Sequence, residues 1–182
     1  KPLGMKRIYE QAKKIGVDSL PIVSLVSLFI GMILALQTAY IMQKMSSEIY
    51  IASIVAVSLT RELGPVITAL IVAGRSGAGI TAELGTMAVT EQVDALATLG
   101  SNPIKYLVVP RYLSLTFMLP VLTLFANAIG IFGGYLICVY RLSIRSSLYL
   151  NMTFQTLVYK DLFTGLVKTI FFGMIIALVA CF

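Results

Sequence analysis

Four long stretches of this chain are nearly free of charge: Ser19 to Gln43, Glu48 to Gly74 apart from one central pair, Tyr112 to Tyr140, and Ser146 to Phe182 apart from Lys160, Asp161 and Lys168. About 20 apolar residues in a helix, each rising about 1.5 Å, cross the hydrocarbon of a bilayer, so every one of these runs is long enough to span. None shows the residue-by-residue alternation of an outer-membrane barrel strand, so helices are expected. Composition agrees: 58% of residues are hydrophobic and 12% charged, with a mean hydropathy of +0.93, outside the balance of a soluble domain. The expected fold is an all-α integral membrane protein, a polytopic helical bundle with spans at about 20–43, 49–74, 112–140 and 150–182.

The remaining sequence is basic, with net charge +6, and a membrane surface accounts for this better than nucleic acid does. Residues 1–18 carry Lys1, Lys6, Arg7, Lys13 and Lys14, with Met5, Ile8, Tyr9, Ala12 and Ile15 between them at helical spacing. That is the pattern of an amphipathic helix lying at the interface, or of a leader that packs on protein. Lys and Arg gather in this segment and between Arg75 and Arg111, which predicts a cytoplasmic N-terminus. The absence of histidine removes the commonest metal ligand and general base. Cys138 and Cys181 lie in apolar runs and read as free thiols. The chain starts at lysine and stops inside an apolar run, which reads as an incomplete C-terminus.

The central pair is Arg61 and Glu62, close to the middle of the second run. An arginine at the bilayer centre costs about 2.5 kcal/mol or more, so both residues should face protein or a wet cavity. Adjacent helical residues do not face each other, so each needs a partner elsewhere. Lys168, inside the last run, is the candidate for Glu62, with Asp161 and Lys160 nearer the interface. Pro65 cannot donate to the carbonyl of Arg61, which leaves the backbone open at the charged pair. A structural ion-pair network and a polar floor to a substrate cavity both fit.

In the first run Leu34, Gln37, Thr38 and Ile41 share a helical face that Met42 continues. A mostly apolar face with one amide suits lipid, and plain helix packing fits equally. The third run carries Ala126, Gly130 and Gly134 at intervals of four, a stripe that lets another helix approach closely. Between the second and third runs, Gly74, Gly77, Gly79 and Gly85 precede a short helical stretch with Glu91 and Asp94 near its start, Val93, Leu96 and Ala97 on another face, and Gly100 as its stop before Pro103. Such a helix is what a cytoplasmic motor would grip, or it is simply interfacial. Residues 77–82 fit a dinucleotide pattern loosely, but follow no strand. The chain has no phosphate-cradling Gly-Lys-Ser/Thr motif, so ATP, if it drives this protein, is bound by another subunit.

The run Thr60-Arg61-Glu62-Leu63-Gly64-Pro65, followed by Ala73-Gly74-Arg75-Ser76-Gly77, Thr81-Ala82-Glu83-Leu84-Gly85, Thr90-Glu91-Gln92, Asn102-Pro103 and Val109-Pro110-Arg111, resembles the Mla-type (MlaE/YrbE) ABC transporter permease family. Gly31-Met32 through Gln37 also fits. The resemblance implies a permease moving phospholipid between membranes, in the bacterial inner membrane or, alternatively, the plastid inner envelope. It implies a homodimer on two ATPase subunits, with an MCE-domain lipid-binding protein on the opposite face. Residues 83–103 would contact the ATPase, through Glu83, Glu91, Asp94, Leu96, Gly100 and Pro103. A lipid cavity between the two copies would be lined by Leu34, Gln37, Thr38, Ile41, Met42, Arg61 and Glu62. Family members continue past the point corresponding to Phe182. Two other classes remain in view: an ion-coupled secondary transporter, against which stands the lack of an internal repeat, and a non-transporting scaffold.

Overall fold

A computed structural model describes residues 5–100 and 102–181; Lys1 and the rest of residues 1–4, Ser101 and Phe182 lie outside the described residues. Every regular element among the described residues is helical. α1 (Met5–Gly16) passes through one 3₁₀ turn into α2 (Leu20–Lys44), which has Pro21 in its first turn, where a missing N–H costs nothing. α3 (Ile51–Ser58), α4 (Gly64–Val72) and α5 (Ala78–Val89) follow end to end, joined by π-turns at Leu59–Leu63 and Ala73–Gly77, so that Glu48–Val89 forms one rod. α6 (Gln92–Thr98), α7 (Val109–Tyr140), α8 (Ser146–Thr156) and α9 (Tyr159–Cys181) complete the chain. Among the described residues four helical rods are long and apolar enough to cross a membrane: Met5–Lys44, Glu48–Val89, Ile104–Tyr140 and Tyr159–Cys181.

Two boundaries differ from the expectation. The helix of the second span does not stop at Gly74 but runs on to Val89, carrying Gly77, Gly79 and Gly85 inside it. Glycine is tolerated within membrane helices, and Gly77 here gives room to Ile176 and Ala180 of α9. The expected 150–182 span is divided: Leu157 is extended (ψ 105°) and separates α8 from α9. Hydropathy is continuous across that break, so composition carries no sign of it.

The helices pack through small residues. Ser27, Gly31, Ala35 and Ala39 of α2 are buried, as are Ala126, Gly130, Gly133 and Gly134 of α7. A Cβ on Gly31 would lie 1.8 Å from the carbonyl oxygen of Gly130, and one on Gly133 would lie 2.3 Å from that of Leu28, so the two backbones touch. The partner of the α7 stripe is therefore α2 of the same chain. α9 uses Gly165, Thr169, Gly173 and Ala177 in the same way; a Cβ on Gly165 would lie 2.4 Å from the Thr60 carbonyl oxygen. Two apolar clusters fill the bundle, one around Val72, Leu115, Leu119 and Ala177, the other around Ala35, Ile51, Val55 and Tyr149. Outward faces carry exposed Leu25, Phe29, Ile33, Phe163, Phe171 and Val179, as lipid contact requires. Cys138 and Cys181 are both free.

Candidate functional site

The site is built on a fault in the second rod. Pro65 lacks an N–H, so the carbonyl of Arg61, four residues earlier, has no α-helical donor. The helix widens over Leu59–Leu63 into a π-turn, a feature common at functional sites. Gly64 follows, and a larger residue there would force its neighbours to shift: a Cβ would sit 1.8 Å from Oδ1 of Asn127 on α7 and 2.8 Å from the Leu59 carbonyl oxygen. Lys168 of α9 fills the open backbone position, its Nζ donating to the Arg61 carbonyl at 3.1 Å and to Glu62 Oε2 at 2.7 Å. Arg61 Nε lies 3.6 Å from Asp161 Oδ1. The structure thus gathers Arg61, Glu62, Asp161 and Lys168 into one cluster of alternating charge.

The cluster is open on this chain. Side chains of Arg61 and Glu62 are 51% and 63% exposed, although they sit within the apolar part of a membrane-crossing rod. Lipid cannot solvate them, so the exposed side must meet water or another protein surface. On α2, Gln37 and Ile41 are exposed and Thr38 half-buried, whereas Leu34 and Met42 pack against the cluster around Ala35 and Ile51.

Among the six residues assigned to motor contact, Glu83 stands apart. It lies on α5, not on the short helix, and joins three helices: Oε2 accepts from Arg111 Nη2 of α7 at 2.9 Å, while Oε1 pairs with Lys14 of α1. Arg111 is 4% exposed, so Glu83 balances a buried guanidinium. Arg7 and Tyr106 are joined by a further hydrogen bond, and Ser114 Oγ donates to the Ile8 carbonyl at 2.9 Å, so α1 packs on the start of α7. α6 has no buried residue: Glu91 (φ 57°) and Asp94 are exposed, and Leu96 is half-buried. Gly100 (φ 71°) ends it, and Asn102 Oδ1 accepts from the amides of Ile104 and Lys105 beyond Pro103.

Asn127, Gly64 and Arg111 were not singled out as site residues from sequence. Gly64 and Arg111 stand within the recognised motifs, but the motif does not say what each one touches. Among the described residues no group of three His, Cys, Asp or Glu gathers that could hold a metal ion.

The family model for permease MlaE matches residues 8–182. The chain belongs to the MlaE permease family. The resemblance read from its motifs is thereby confirmed. A Rickettsia typhi protein described as a probable ABC transporter permease is 49% identical over 181 residues, which is 100% of this chain and 70% of the relative. A Synechocystis protein of the same description is 38% identical over 179 residues, 98% of this chain and 68% of that one. The Haemophilus influenzae intermembrane phospholipid transport system permease protein MlaE is 37% identical over 176 residues, 96% of this chain and 67% of its own length. This MlaE-family chain is thus a multi-pass membrane protein of the ABC permease class.

Proposed function

We propose that the chain is the membrane subunit of an ABC transporter that moves phospholipid between membranes, powered by ATP bound to a separate ATPase. The observation that carries this reading is the charged cluster of Arg61, Glu62, Asp161 and Lys168, left open at mid-span on an otherwise apolar exterior. A second copy of the chain, facing the first across this surface, encloses a cavity with a wet polar zone beside an apolar path. Acyl chains follow the α2 face that includes Gln37 and Ile41, and the charges keep water beside the headgroup. The phospholipid named for the Haemophilus relative supports the choice of cargo.

α6 is the surface for the motor, with Glu91 and Asp94 presented to it and Leu96 behind them. It is unburied on its own chain and stands directly after the second rod, so a push on it moves the helix that holds the charged cluster. In this arrangement α1 and the turn at α6 lie on the cytoplasmic side of the bacterial inner membrane, and an MCE-domain protein receives lipid on the other.

The test is reconstitution of the full-length permease with its ATPase in vesicles. ATP-dependent transfer of labelled phospholipid, by a complex with two permease copies, is the expected result. Transport that persists without any ATPase would instead support an ion-coupled carrier, and purification without bound phospholipid would support a scaffold.

A further inference from the structure

A cleft of about 130 Å³ lies between α1 and the junction of α4 with α5, well apart from the mid-span charges. Its polar lining is Gln11, Lys14, Asp18, Arg75, Ser76 and Glu83, and Gly79 also lines it, where an added Cβ would meet nothing within 4 Å. It stands where the first span begins and the apolar part of the second ends, the depth at which lipid phosphates lie.

Two of its charges are already engaged, since Lys14 pairs with Glu83 and Glu83 also holds Arg111. The other two are not. Arg75 donates Nη1 to Ser19 Oγ at 2.8 Å, and neither Arg75 nor Asp18 forms an ion pair among the described residues. A cation and an anion that line one cleft without meeting are matched by a ligand that carries both charges. A guanidinium offers five donors in a planar fork, which suits a phosphate, and one bond to Ser19 leaves most of them free. A carboxylate suits a primary ammonium. Among the described residues no aromatic ring lines the cleft, which disfavours the quaternary ammonium of a choline headgroup. A glycerol headgroup would leave Asp18 without a counter-charge.

We propose that this cleft binds a phosphoethanolamine group, carried by a phospholipid of the surrounding leaflet, with the phosphate on Arg75 and the ammonium on Asp18. The site is occupied at rest and needs neither ATP nor the motor, so its failure and the failure of the transport reading are separate results.

The experiment uses the full-length permease complex in nanodiscs containing equal amounts of phosphatidylethanolamine, phosphatidylcholine and phosphatidylglycerol, with retained lipid counted by mass spectrometry after extraction without nucleotide. The native complex retains phosphatidylethanolamine in preference to the other two. D18N lowers the ratio of phosphatidylethanolamine to phosphatidylglycerol by about tenfold, the effect of losing a charge-assisted contact. R75Q lowers retention of all three lipids. S19A, which removes only the tie between Arg75 and the 3₁₀ turn ahead of α2, leaves retention unchanged. An unchanged ratio in D18N, or equal losses in S19A and R75Q, overturns the proposal. Soluble phosphoethanolamine added to the lipid-depleted complex distinguishes the source: competition means the headgroup alone suffices, and lipid binding without competition means the acyl chains take part. Either result upholds the site.

Discussion

The ammonium of Lys168 lies 2.7 Å from the carboxylate of Glu62, 106 residues earlier in the chain, and the same nitrogen donates to the backbone at Arg61. One side chain thus satisfies a charge and a carbonyl that the second rod cannot satisfy itself. Glu62→Ala strands the ammonium, and Lys168→Met strands the carboxylate, so each single change should lower lipid transfer and complex yield. The exchanged pair Glu62→Lys with Lys168→Glu should recover part of both. A double variant no better than the worse single one would show that the pairing itself contributes nothing.

Pro65→Ala restores an amide that can bond to the Arg61 carbonyl, in competition with Lys168. The expected outcome is a narrower helix at Leu59–Leu63, equal or greater thermal stability and slower ATP-dependent lipid transfer. Stability and transport measured on one preparation check this; loss of both together would mean that proline serves the fold alone.

The contact of Gly31 with Gly130 and the open space at Gly85 make opposite predictions for the same substitution. Gly31→Ala drives a methyl group into a backbone oxygen and should cost roughly 1–3 kcal/mol, the usual range for overpacking. Gly85→Ala meets nothing within 4 Å and should stabilise α5 by roughly 0.5–1 kcal/mol. Thermal unfolding in detergent should move down for the first and up for the second.

Glu83→Gln leaves Arg111 buried without its anion. The cost should be about 1–3 kcal/mol, below the range for a fully buried pair because water reaches part of Glu83. Lys14 loses the same partner, so hydrogen exchange over residues 8–14 should be faster in Glu83→Gln than in the native chain. Exchange as slow as the native chain's would sink this account.

The bundle was legible in the sequence because lipid imposes a coarse rule, that a span needs a long run without charge. The Lys168 and Glu62 pair could be anticipated for the same reason, since a charge deep in such a run needs a counter-charge. Glu83 could not be placed. Its partners come from α1 and α7, and whether an acidic residue near the membrane surface points to a motor or back into its own fold depends on how three helices meet. Pro65 marked the opening at Leu59–Leu63, but the break at Leu157 and the π-turn at Ala73–Gly77 were invisible, because they alter backbone geometry without altering hydropathy.

Along the second rod, Ala52, Ala56, Thr60, Gly64, Thr68, Val72, Ser76 and Ile80 are all buried, a strict repeat of four. An ideal α-helix turns about 100° per residue, so such a repeat drifts about 40° at each step and roughly 280° from end to end. The π-turns at Leu59–Leu63 and Ala73–Gly77 each absorb one extra residue, removing roughly 200° of that drift between them. They act as two phase corrections that keep a single stripe against the bundle for the whole crossing. Deleting one residue from either turn would swing the stripe beyond it by about 100° toward lipid, which gives this rod an almost fixed residue count whatever its side chains are.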